Sequence, residues 1–179
     1  MISLKAQASI DHIFTSSVKA HLPIGEGDSC EIERVTDKKA GEFPEKTIVI
    51  LTISSFLFRL LTIFHFDENP ATRDYFAGGV ADKSLDEVFS EAGNLCCGAM
   101  KREVSRHFPH TGMSTPYTLS SRCISFLDEL KPSYTARYAI TINGSVQLHA
   151  TVCVCNYAPM DFVVDKSAEE EETGALEMF

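Results

Sequence analysis

Apolar residues recur at three- and four-residue spacing near the start of the chain, at Ile10, Ile13, Phe14 and Val18, and predict an amphipathic helix over residues 9–22. The Gly-Glu-Gly turn at 25–27 ends it. Cys30 and Ile32 alternate as a short strand would, and after the polar stretch KKAGEFPEK come two runs, KTIVILTIS and RLLTIFHF, rich in β-branched and aromatic residues. These predict two strands buried on both faces. Asn69-Pro70 is a capping residue followed by proline at the first helical position, and Gly78-Gly79 is a stop, so a short helix lies between them. The longest helix covers residues 84–107, opened by Ser84-Leu85-Asp86-Glu87 in the form of a capping box and closed before Pro109. TPYTLSSRCISF then has strand character. ARYAITI and SVQLHATVCVC alternate, and Asn143-Gly144 between them is the two-residue turn that accepts positive φ and matches strand twist. They predict a β-hairpin.

This order of elements predicts one α+β domain over residues 1–158, with a mixed sheet packed by the long helix and the N-terminal helix, followed by an acidic, flexible tail over 159–179. The length of 179 residues suits one domain with a real core. Of the formal net charge of −9, six units fall in the last 19 residues, which hold seven acids and one lysine. The run Glu169 to Glu172 reads as a solvated extension, and Leu176, Met178 and Phe179 beyond it leave open a tethering role. The acidic balance is the wrong sign for neutralising phosphates or an anionic leaflet, so neither nucleic acid nor membrane is expected as a partner. Residues 48–64 are apolar enough to suggest a span, but Arg59 and several Thr and Ser interrupt them. The opening residues lack the basic-then-apolar pattern of a secretory signal, and a cytoplasmic location is expected.

No GxxxxGK[ST] loop, GxSxG elbow or HExxH helix is present. Six cysteines, Cys30, Cys96, Cys97, Cys123, Cys153 and Cys155, sit in apolar patterned segments, not at zinc-site spacing, and read as reduced core residues. His107 and His110 are near one another with Pro109 interposed, a poor metal pair. No metal site is expected.

The long helix holds the informative constellation. At 100° per residue, Leu85, Val88, Phe89, Ala92, Leu95, Cys96 and Ala99 gather on one side, which is expected to face the core. Glu87, Glu91, Asn94, Gly98 and Lys101 gather on another, centred roughly 130° away and directed to solvent. A glycine inside a helix costs about 0.5–1 kcal/mol relative to alanine. Gly98 therefore needs a reason, and close approach of another surface is one. Exposed Glu and Asn are otherwise ordinary on a helix.

The string Glu91-Asn94-Gly98, on a long helix in this order of elements, resembles the CheX/CheC/FliY family of chemotaxis phosphatases, which dephosphorylate the aspartyl phosphate of CheY-type response regulators. The resemblance covers roughly residues 8–157. The family's helix motif runs Asp or Ser, then Glu, then Asn, with a proline downstream: Glu91 and Asn94 match, Pro116 lies one residue off, and Glu87 stands at the first position. CheC-like members carry the motif twice and this chain once, so it is most similar to CheX, whose single-site subunits pair as dimers. The resemblance implies that Asn94 enters the regulator's active site and holds the attacking water. It also implies that Glu91 meets the regulator's invariant lysine, that Mg²⁺ comes with the regulator, and that this chain binds no cofactor of its own. Gly98 would give the partner's backbone room, and Glu87 and Lys101 would border the contact. A docking module of the same fold, in signalling or the flagellar switch, is the alternative.

Overall fold

A computed structural model describes residues 1–36, 43–78 and 84–165. The elements run α1 (Leu4–His21), β1 (Cys30–Arg34), β2 (Thr47–Ser54), β3 (Phe58–Phe66), α2 (Pro70–Ala77), α3 (Leu85–His107), β4 (Gly112–Met113), β5 (Tyr117–Ser120), a 3₁₀ segment (Ser121–Leu130), β6 (Tyr134–Ile142) and β7 (Val146–Asn156). The α+β class and both flanking helices are as expected. The sheet is more regular than the mixed one anticipated: its order is β1-β6-β7-β3-β2-β4, with β5 also on β2, and every strand pairing is antiparallel. Hairpins explain this. β2 turns directly into β3 and β6 into β7, and short turns can only join antiparallel neighbours.

Local chemistry places the ends. Asn69 accepts from the Thr72 amide at 2.9 Å and caps α2, and Gly78 at φ 60° ends it. Asn143 and Gly144 take φ 50° and 66° in the β6–β7 turn. Three expectations are corrected. α1 starts at Leu4, earlier than the periodicity suggested, because Ser3 accepts from the Ala6 amide at 3.1 Å and serves as its cap. Ser84 precedes α3 with extended backbone but makes no side-chain cap bond, so the capping box does not close. Only the first part of TPYTLSSRCISF is a strand, because the Ser120 side chain accepts from the Arg122 amide and the chain turns into the 3₁₀ segment.

The sheet has two unlike faces. Phe58, Leu60, Phe64 and Phe66 of β3 and Val49, Leu51 and Ile53 of β2 point to the side covered by α1 and α3, within one large apolar core. Phe89 of α3 stacks on Phe66 at 4.2 Å and lies 4.6 Å from Phe76 of α2, which ties the N-terminal half of α3 to both elements. Each such buried side chain contributes about 1.5–3 kcal/mol. α1 is held at the other end of the sheet by Asp11, which accepts from the hydroxyls of Tyr134 and Tyr138 and pairs with Arg34. Burial, and then the bond to Asp11, pushes both phenols above their ordinary range, so they stay protonated donors.

The opposite face carries a smaller cluster of Ile48, Ile50, Leu61, Ile63, Cys153 and Cys155, covered by Leu127 of the 3₁₀ segment. The packed body also continues past residue 158: Met160 and Phe162 are 2% and 8% exposed, and Ile2 bridges to Met160. The Glu169 to Glu172 run and the terminal apolar residues lie outside the described residues. Among the described residues no helix is long and apolar enough to cross a membrane; residues 48–64 are β2 and most of β3.

His65 is the one ionisable group deep in β3. Burial first, then His149 and Arg137 nearby, lower its pKa from 6.5 to about 3. The unfolded chain then binds a proton that the native state refuses, so stability present above pH 6.5 is lost as pH falls toward 3. Between pH 7 and pH 5 the wild type is expected to lose on the order of 2 kcal/mol more than His65→Gln, measured by urea unfolding. Equal losses in the two proteins would mean that His65 is charged in the native state.

Candidate functional site on the long helix

α3 presents its apolar arc inward and a polar stripe outward. Leu85, Val88, Phe89, Ala92, Cys96 and Ala99 are buried as the periodicity required, and so are Gly93, Cys97, Met100 and Val104. The outward stripe brings together all five residues singled out from the sequence. Glu87, Glu91 and Asn94 are exposed, and Gly98 and Lys101 are partly exposed. On helical geometry Asn94 stands about 4.5 Å along the axis from Glu91, and Gly98 about 6 Å further. Among the described residues, the side chains of Glu87, Glu91, Asn94 and Lys101 have no hydrogen-bond or ion-pair partner. Farther along, Glu103 and Arg106 pair at 2.9 Å, so α3 does form surface ion pairs, and the stripe lies just before them.

Leu95 is a correction. Expected on the core side, it is 53% exposed. On the wheel it lies about 20° from buried Val88 and about 40° from Glu91, at the border between the apolar arc and the polar stripe. The stripe therefore has an apolar side chain beside Glu91 and Gly98. Pro116 lies between β4 and β5, both of which contact α3.

Two glycines in α3 have opposite explanations. A Cβ on Gly93 would come 2.9 Å from Leu51 Cδ1 and 3.5 Å from Phe64 Cδ2, so Gly93 is where the helix presses onto the sheet. Sequence reasoning passed over it. A Cβ on Gly98 would meet nothing within 4 Å. No contact within the described chain requires glycine there, and the backbone is left bare beside Asn94.

Cysteine and metal chemistry find no support at this site. Burial pushes Cys96 and Cys97 up to about 12, so both thiols are protonated at neutral pH and face the core. Among the described residues no three His, Cys, Asp or Glu side chains gather to hold a metal ion. His107 and His110 are both exposed, and the His107 ring lies 4.9 Å from Phe162. The arrangement is a solvent-facing helix surface carrying a carboxylate, an amide and a bare backbone patch in line.

The antiparallel sheet with α1 and α3 on one face superposes on solved structures of chemotaxis proteins. CheX from Vibrio vulnificus superposes with a TM-score of 0.58 at 13% identity, over 82% of this chain and 99% of that one. A CheX–CheY–BeF₃–Mg²⁺ complex from Borrelia burgdorferi gives 0.54 at 12% identity, over 83% and 96%. FliY from Thermotoga maritima gives 0.51 at 16%, over 86% and 89%. The chain shares the fold of these structures. No protein-family model matches it, and no curated protein sequence does.

The two glycines make opposite predictions. Gly98→Ala is expected to stabilise the isolated protein by about 0.5–1 kcal/mol, a rise of roughly 2 °C in Tm, since nothing opposes the gain in helix propensity. Gly93→Ala is expected to lower Tm, because overpacking costs about 1–3 kcal/mol and Leu51 is fully buried. Calorimetry on both variants decides; a destabilised Gly98→Ala would mean that the chain itself needs that glycine.

Proposed function

We propose that the chain is a phosphatase of a phosphorylated CheY-type response regulator, acting through the exposed stripe of α3. The observation that carries this reading is the unpartnered Glu91-Asn94 pair beside an open Gly98, on the outward face of a helix that is otherwise tightly packed. A fold shared with a CheX seen in complex with CheY, BeF₃ and Mg²⁺ supports the choice of partner.

Hydrolysis of an acyl phosphate asks little covalent chemistry of a protein; the rate comes from placing water in line with phosphorus and steadying charge on the equatorial oxygens. A carboxamide suits the first task. It accepts from the water through its oxygen and donates through its nitrogen, with no pKa to hold in range. Asn94 would enter the regulator's site and orient the attacking water. Glu91, one turn earlier, would pair with the regulator's lysine and fix the docked pose, and Mg²⁺ would remain with the regulator. Gly98 allows the partner's backbone to approach α3, Leu95 supplies an apolar contact, and Glu87 and Lys101 border it. No residue of this chain forms a bond to phosphorus.

The test is decay of a phosphorylated CheY-type regulator in Mg²⁺, alone, with the wild type and with variants. Asn94→Ala is expected to lower the stimulated rate on the order of 10²-fold, as loss of one positioned hydrogen-bonding group does. Glu91→Ala is expected to raise the concentration of protein needed for half-maximal decay while changing the saturated rate less. Binding without acceleration, across the regulators of the same cell, would leave a docking module of the same fold as the correct reading.

A further inference from the structure

A second site lies on the face of the sheet that α3 does not touch. Between the 3₁₀ segment, Phe43, β3 and β6 there is a cavity of about 480 Å³, inside the roughly 300–1,000 Å³ range of small-molecule sites. β3 and β6 contribute His65 and Arg137, and the 3₁₀ segment contributes Arg122, Leu127 and Asp128.

Two observations show that the cavity is more than a gap in packing. The first is charge. Neither guanidinium, Arg122 nor Arg137, has an ion-pair or hydrogen-bond partner among the described residues, and Arg137 is half-buried on the sheet. A partly desolvated cation without a partner is costly, and an anion in the cavity would relieve it. The second is the aromatic lining: the His65 ring, its Nε2 3.1 Å from Thr151 Oγ1, and Phe43 edge-on to it both line the cavity.

We propose that this cavity binds a small organic monoanion, a carboxylate carried on a flat apolar body. Two guanidinium groups set against Asp128 leave one net positive charge, which a monocarboxylate balances; a doubly charged phosphate would press its second charge on Asp128. The planar fork of arginine matches a carboxylate in two parallel hydrogen bonds. Phe43 stacks on His149 with centroids 4.1 Å apart and stands edge-on to His65 at 4.9 Å, so it forms a flat aromatic wall. Leu127 offers an apolar surface for the body of the ligand. The site is separated from Glu91 and Asn94 by the thickness of the sheet, so its occupant does not compete with a protein docked on α3.

Benzoate is the probe and benzamide its neutral control, followed by amide chemical shifts of the ¹⁵N-labelled full chain at neutral pH. Benzoate is expected to move the Phe43, His65, Leu127 and Arg137 amides along one saturating curve, with benzamide at least fivefold weaker. Arg137→Gln and Arg122→Gln are each expected to weaken benzoate at least fivefold. Arg122 is exposed on the 3₁₀ segment, so its variant reads the charge without disturbing a central strand. Equal binding of benzamide, shifts that do not saturate or lie elsewhere, or an unchanged benzoate curve in Arg122→Gln would overturn the proposal.

Discussion

The contact on which the site depends is the approach of α3 to the sheet at Gly93. With no side chain there, the helix backbone comes down onto Leu51 and Phe64, and Phe89 seats against Phe66 and Phe76. A helix pinned in this way cannot rotate without lifting its buried arc off the core. Gly93 lies about 160° round the wheel from Glu91, so pressing the one inward turns the other outward. The exposed stripe is thus a consequence of packing, and the unpartnered state of Glu91 and Asn94 follows from where the helix is pinned.

The two faces of the sheet divide the molecule's chemistry. On the helix side almost every strand residue is apolar, and Thr62 donates to Met100 Sδ at 3.6 Å. On the far side His65, Thr151 and Arg137 interrupt the apolar rows, and the 3₁₀ segment covers them only in part. Alternation along each strand makes this possible: neighbouring residues of β2 and β3 serve opposite faces, so a dry core and a polar cavity share the same strands.

Much of this was legible in the chain. Hairpins announced by Asn143-Gly144, a helix bracketed by Asn69-Pro70 and Gly78, and the long period-3.6 segment of α3 all rest on short-range geometry, and each appears where its residues required. The stripe of Glu87, Glu91, Asn94, Gly98 and Lys101 was legible for the same reason. What escaped depends on contacts distant in sequence. Gly93 looked like any residue until Leu51 and Phe64 were placed opposite it. Leu95 sits at the border between Val88 and Glu91 on the wheel, where neither composition nor angle decides its exposure. The cavity combines residues from 43 to 137 that no spacing connects. The 3₁₀ segment followed a strand-like composition, and the turn at Ser120 outweighed it.

The working surface proposed for the molecule is the outward stripe of α3. Titrating the ¹⁵N-labelled protein with a beryllofluoride-activated CheY-type regulator and Mg²⁺, and mapping the perturbed amides, decides whether partners dock there. Perturbation centred on Glu91, Asn94, Leu95 and Gly98, absent with the unactivated regulator, is the expected result. Perturbation centred on the opposite face of the sheet, with α3 unmoved, would contradict it.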